Sequence, residues 1–170
     1  MCVNTLFKRY FCLKIARRRK AEGVVPPMEN IQPLAEQIKA FMSEEDDESP
    51  IVMINLLKYR EQAKYPEGMD VSPCTGREAY QRYGAAAAEK LKAVGAKAIW
   101  MGNVKGVVIG PLAESWDDAL LVEYPSRKAF ADMAFDKGYE SASVHRTAAL
   151  ADSRLIAVKA RLNLFEGLNL

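Results

Sequence analysis

Residues 50–59 read Pro-Ile-Val-Met-Ile-Asn-Leu-Leu-Lys-Tyr, an apolar run with a single amide inside it. A short run of this kind, rich in β-branched residues, reads as a strand covered on both faces. Side chains alternate along a strand, so Asn55 shares a face with Met53 and Leu57 and lies opposite Ile54 and Leu56. A buried amide costs free energy unless it finds hydrogen-bond partners. Asn55 therefore either completes a local network or points into a pocket. If its face meets helices, it belongs to a candidate pocket. If that face meets a second subunit, it belongs to an interface.

The segments around this strand have readable boundaries. Ile31, Leu34, Ile38 and Phe41 recur at helical spacing, which predicts a helix over about 29–43. The acidic run Glu44 to Glu48 ends it and reads as a solvated linker rather than a metal site. A loop over 60–76 leads to Thr75-Gly76-Arg77-Glu78, a capping box. The helix that follows carries Tyr80, Tyr83, Ala87, Leu91 and Val94 on one face and stops near Gly95. Residues 98–101 and 107–109 read as a strand pair, either a hairpin or one bent strand with a bulge. Asp118 to Tyr124 is a strand with Leu120, Val122 and Tyr124 on one face. Ser126 caps a helix that breaks at residues 136–139 and resumes to about Ala151. A last strand is predicted over Arg154 to Leu162, with Ile156, Val158, Ala160 and Leu162 on one face.

This order is strand, helix, strand pair, strand, broken helix, strand. It predicts an α+β, ferredoxin-like fold: an antiparallel sheet with helices on one face and an extra N-terminal helix. The expected division is a basic extension over 1–27, a helical segment over 28–47, the main domain over 48–162 and a tail over 163–170. The strands are apolar on both faces, so the sheet face without helices needs cover. A two-fold homodimer that pairs sheet against sheet supplies it.

Charge narrows the partners. Residues 1–20 carry seven bases and no acid, so a net charge of +2 for the whole chain leaves residues 21–170 at −5. An acidic body speaks against nucleic acid as its main partner. The basic arm reads as a membrane or nucleic-acid tail, as an Arg-rich transit segment, as a plain extension, or as sequence upstream of a true start at Met28. Cys2, Cys12 and Cys74 are far apart, which argues against a disulfide framework or a cysteine zinc site and fits a cytoplasmic location. No apolar stretch is long enough to span a bilayer. No metal and no cofactor are expected.

Four segments in order carry a resemblance: Pro50 to Lys58, Thr75 to Gly84, Glu123 to Ser126 and His145 to Ile156. Over roughly 48–158 the chain resembles the bacterial domain-of-unknown-function family numbered thirteen-thirty, of the dimeric α/β-barrel superfamily. The resemblance implies a ferredoxin-like subunit whose sheet pairs with its twin's to form a barrel. Relatives in that superfamily include cofactor-free monooxygenases, lactone isomerases, stress-responsive proteins and haem-binding enzymes, many with a small apolar pocket between sheet and helices. Fold does not fix function, so no reaction follows from it.

The candidate site residues each have two readings. His145 is the only histidine and titrates near neutrality, so it suits general acid/base work; the plain reading is a helix histidine bonded to a carbonyl. Asn55, Tyr80, Tyr83, Trp100 and Tyr124 are candidates to line one pocket, where amide, phenol and indole groups orient a carbonyl or a phenol. The plain reading makes the aromatics core. Arg146 and Arg154 flank Asp152 and suit a carboxylate ligand, or an internal ion pair that locks helix to strand. Cys74 has no base nearby in sequence. The expected function is a dimer that binds a small apolar or aromatic molecule, with cofactor-free oxidation or isomerisation as its reaction if it has one. The alternative is a non-catalytic dimeric module without a pocket.

Overall fold

The computed structural model describes residues 30–43, 48–136 and 138–159. Its elements are α1 (Ala35–Met42), β1 (Ile51–Tyr59), α2 (Gly76–Ala93), β2 (Lys97–Asn103), β3 (Asp118–Tyr124), α3 (Arg127–Ala134), α4 (Tyr139–Ala149) and β4 (Leu150–Val158). The strands form one sheet in the order β2-β3-β1-β4, antiparallel throughout. Strand-helix-strand-strand-helix-strand connectivity with this order is the ferredoxin-like α+β arrangement. The sheet is open, with β2 and β4 at its edges.

The local signals act as their chemistry dictates. At the start of α2, Thr75 Oγ1 accepts from Glu78 N at 3.2 Å and Glu78 Oε2 accepts from Thr75 N at 2.7 Å. Two helix-end donors are satisfied reciprocally. At its other end Gly95 adopts φ +73°, Gly95 N donates to Lys92 O and Ala96 N donates to Leu91 O. That is a Schellman stop, and glycine takes its left-handed residue without a Cβ penalty. Ser126 Oγ caps α3 by accepting from Ala129 N at 3.0 Å.

Three expectations need correction. The first helix starts at Ala35, not near 29. Asn30 and Ile31 spend their carbonyls on Ser153 Oγ and on Arg146 Nη1 instead of on a helix, and Pro33 follows them. Residues 107–109 form no strand; Val108 and Ile109 are almost fully exposed, and β2 ends at Asn103. The bulge is present, but at Ile99, where Ala98 faces Val122 and Trp100 faces Leu121. Finally, β4 begins at Leu150, directly after α4, four residues earlier than predicted. The basic arm, most of the acidic run (44–47), Ala160, Leu162 and the tail lie outside the described residues.

Alternation in β1 sends Ile51, Met53, Asn55 and Leu57 to the buried side and leaves Val52, Ile54 and Leu56 half-buried on the other. The buried side meets the helices in two clusters. Leu57 packs with Ile31, Cys74, Ala79, Tyr80, Ala149 and Leu150. Met53 packs with Ile51, Ala87, Ala96, Val122, Tyr124 and Met133. Asn55 sits between them along the strand. The opposite face has a row across all four strands: Trp100 opposes Leu121, which opposes Ile54, which opposes Ile156. Trp100 and Ile156 at its ends are 49% and 48% exposed.

Candidate functional site

Asn55 faces the helices and is 8% exposed. Its Nδ2 donates to Met53 O at 3.0 Å and more weakly to Leu120 O at 3.4 Å. Both partners are acceptors, which fixes the amide with its nitrogen toward the strands. Its Oδ1 accepts no hydrogen bond among the described residues.

Tyrosines run through the clusters on either side of Asn55 along β1. The Tyr80 ring lies 5.4 Å from that of Tyr59 and 5.2 Å from that of Tyr83, and the Tyr83 ring lies 6.1 Å from that of Tyr139. Tyr83 packs against both apolar clusters. Its hydroxyl meets that of Tyr139 at 2.5 Å, and the Tyr124 hydroxyl reaches Met133 Sδ at 3.7 Å. The Tyr80 hydroxyl, on a residue 7% exposed, has no hydrogen-bond partner among the described residues. Burial first, then the neighbouring phenols, pushes Tyr80, Tyr124 and Tyr139 well above the ordinary phenol range. All three stay protonated, so each hydroxyl keeps a hydrogen to donate. Arg146 opposes the shift at Tyr80 and Tyr139, so its charge lies within their reach.

The structure thus gathers Asn55, Tyr80, Tyr83 and Tyr124 on the helix side of the sheet, with the charge of Arg146 bearing on Tyr80. It does not bring Trp100 there. The bulge at Ile99 reverses the alternation of β2 and sends Trp100 to the outer face. Arg146 itself donates to Ile31 O at 2.6 Å and Ser153 Oγ at 3.2 Å. The ion pair with Asp152 belongs to Arg154, at 2.8 Å. His145 is half-buried, and its Nδ1 lies 2.8 Å from the Tyr65 hydroxyl, with the rings edge to face. Burial, and then the nearby Arg82 charge, lowers its pKa below the ordinary imidazole value. Its hydrogen bond and ring contact are both with Tyr65, which packs on the outside of the Leu57–Tyr80 cluster. Cys74 is a free, buried thiol in the Leu57 cluster.

Tyr139 and a buried carboxylate went unread in the sequence. Asp118 is fully buried and accepts from Arg77 Nη1 at 2.6 Å, Tyr59 Oη at 2.8 Å and Asn103 Nδ2 at 2.6 Å. Its signal was available: alternation puts Asp118 on the inward face of Leu120, Val122 and Tyr124. For Tyr139 no local signal exists, because its partner lies on another helix.

The hollows at the surface of the described residues include two near the sheet. One, of about 310 Å³, is lined by Lys58, Glu114, Trp116, Asp152, Arg154 and their neighbours; the other, of about 370 Å³, lies where the end of α2 meets β2. Asn55 and the tyrosines line neither. Among the described residues no group of three or more His, Cys, Asp or Glu is placed to hold a metal, and no helix is long and apolar enough to cross a membrane.

The family model described as Domain of unknown function (DUF1330) matches residues 70–160. The chain belongs to this family. Two crystal structures are similar along nearly their whole length. The methylated RPA0582 protein is 39% identical, with 82% of this chain and 99% of that chain covered and a TM-score of 0.73. The RPA0582 protein of Rhodopseudomonas palustris, a protein of unknown function, is 38% identical, with 80% and 100% covered and a TM-score of 0.72. No curated protein matches. Membership accounts for the fold and leaves the activity to the chain's own residues.

Proposed function

We propose that this DUF1330 chain is a homodimer, paired through the outer face of its sheet, that binds one small apolar or aromatic molecule per subunit between sheet and helices. The observation that carries the binding reading is the pair of polar atoms without a partner among the described residues, Asn55 Oδ1 and the Tyr80 hydroxyl, which stand on largely buried residues yet are themselves open to contact. A ligand hydroxyl can donate to Asn55 Oδ1, and a ligand carbonyl or hydroxyl can accept from the Tyr80 hydroxyl. The surrounding rings supply its apolar contacts. The pairing rests on the Trp100-Leu121-Ile54-Ile156 row, which is apolar, crosses every strand and is half exposed at both ends among the described residues. Oxidation or isomerisation would assign proton transfer to His145. Since the contacts of His145 are with Tyr65, the reading here is of a binder.

The test is a screen of small aromatic ketones and phenols by NMR, read at the Asn55 side-chain amide. Saturable shifts that weaken in Tyr80→Phe are expected, and Asn55→Ala should lose binding when it is read on the ligand by saturation transfer. A folded protein whose Asn55 amide responds to none of them favours the second reading, a dimeric module with a filled interior. The satisfied Tyr83–Tyr139 and Tyr124–Met133 contacts speak for that alternative.

A further inference from the structure

The second unassigned feature lies on the outer face of the sheet, away from Asn55. Lys58 and Asp152 stand opposite each other on β1 and β4, and Arg154 stands opposite Leu56. The 111–116 segment lies against this end of the sheet and closes the hollow of about 310 Å³, with Pro111, Ala113 and Trp116 as its apolar wall. That volume is at the small end of what ligand pockets offer.

The four charges in the hollow balance formally, but they are not equally engaged. Asp152 Oδ1 accepts from Arg154 Nη1 at 2.8 Å, from Asn30 Nδ2 at 3.1 Å and from Ser153 N at 2.9 Å. Glu114 Oε1 accepts the Trp116 indole N–H at 3.1 Å. Lys58, although opposite Asp152, donates to the neutral Ser115 Oγ at 2.8 Å and to no carboxylate among the described residues. Arg154 spends Nη1 on Asp152 and Ser153 O and keeps its Nε and Nη2 hydrogens unpartnered there. Its plane is fixed by the ion pair and by the Trp116 ring 5.0 Å away. An ammonium without a counter-ion beside a pre-oriented guanidinium edge is an anion-recognition pair.

We propose that this hollow binds a small carboxylate with a flat apolar body, its oxygens on Lys58 Nζ and Arg154 and its body against Trp116, Pro111 and Ala113. The site is separate from the helix-side site and does not depend on it; it shares the outer face with the proposed pairing row and lies at the end of that face.

Benzoate is the probe, with benzylamine as the cation of matching shape. The unaltered chain has two tryptophans, so its ¹H–¹⁵N spectrum offers two indole resonances, and the one missing in Trp116→Phe belongs to Trp116. Saturable movement of that resonance with benzoate, and none with benzylamine, is expected. Lys58→Gln should weaken the response about tenfold. Should that variant misfold by circular dichroism, Arg154→Lys, which keeps the charge and loses the fork, should also weaken it. No saturable shift in the millimolar range, an equal response to benzylamine, or full binding by a folded variant overturns the proposal.

Discussion

Arg77 Nη1 donates to Asp118 Oδ2 at 2.6 Å, tying the first turn of α2 to the first residue of β3. The same oxygen takes the Tyr59 hydroxyl, and the Arg77 guanidinium lies 4.7 Å from the centre of the Tyr59 ring. One carboxylate therefore joins β1, α2, β2 and β3. Asp118→Ala strands Tyr59 and Asn103 and should cost about 3 kcal/mol in chemical denaturation.

That carboxylate also sets an acid limit. Burial pushes its pKa up, but the hydrogen bonds from Asn103, Tyr59 and Arg77, with the Arg77 charge, bring it below the ordinary aspartate value. A depressed folded pKa gives stability that is present above the unfolded value, about 4, and is lost as pH falls through the folded one. The unaltered protein should lose stability below about pH 4, and Asp118→Asn should lose less over that window. Asp152, also depressed, leaves a residual slope. Denaturation midpoints from pH 6 downward check this; equal slopes in the two proteins would refute it.

His145 is the chain's only imidazole, so its titration can be read without assignment. Burial, and then Arg82, disfavours the cation. The midpoint followed by NMR should fall below 6.5. By the same linkage, the folded state gains stability as pH rises through this range, because the unfolded chain binds more protons. Tyr65→Phe removes a hydroxyl at 2.8 Å from Nδ1 and should shift the midpoint measurably.

The outer row makes a prediction about assembly. Sedimentation at micromolar concentration should show a dimer. Ile156→Asp places a charge within the apolar row and should weaken the dimer at least about a hundredfold, on the order of 3 kcal/mol. A monomeric unaltered chain removes the sheet-to-sheet pairing altogether.

How far the sequence reached depends on whether a signal is local. β1 and the Thr75–Glu78 box were legible to the residue, because alternation and capping act over a few positions. The start of β4 was not: α4 passes into it at Ala149–Leu150 with no glycine or proline to mark the change. Trp100 was misplaced because the extra residue of a bulge reverses a face without changing composition. Val107 to Ile109 looked like a strand by content, yet no neighbouring strand pairs with it. In the candidate site, Asn55 and Tyr80 could be nominated from residue type and face. The Tyr83–Tyr139 contact joins helices 56 positions apart and could not.

That contact separates the two readings of the interior. The Tyr83 hydroxyl is bonded, so Tyr83→Phe breaks a partly buried hydrogen bond and should cost about 1 kcal/mol. Tyr80 is the more buried residue, and its hydroxyl has no partner among the described residues, so Tyr80→Phe should change stability by less than about 0.5 kcal/mol. If the hydroxyl instead serves a ligand, the same variant should lose affinity for an Asn55-shifting aromatic ketone about tenfold, near 1.4 kcal/mol, while the fold is unaffected. Paired denaturation curves and NMR titrations decide it. A Tyr80→Phe protein as destabilised as Tyr83→Phe would show that the Tyr80 hydroxyl already has a structural partner, and the binding reading would lose the observation that carries it.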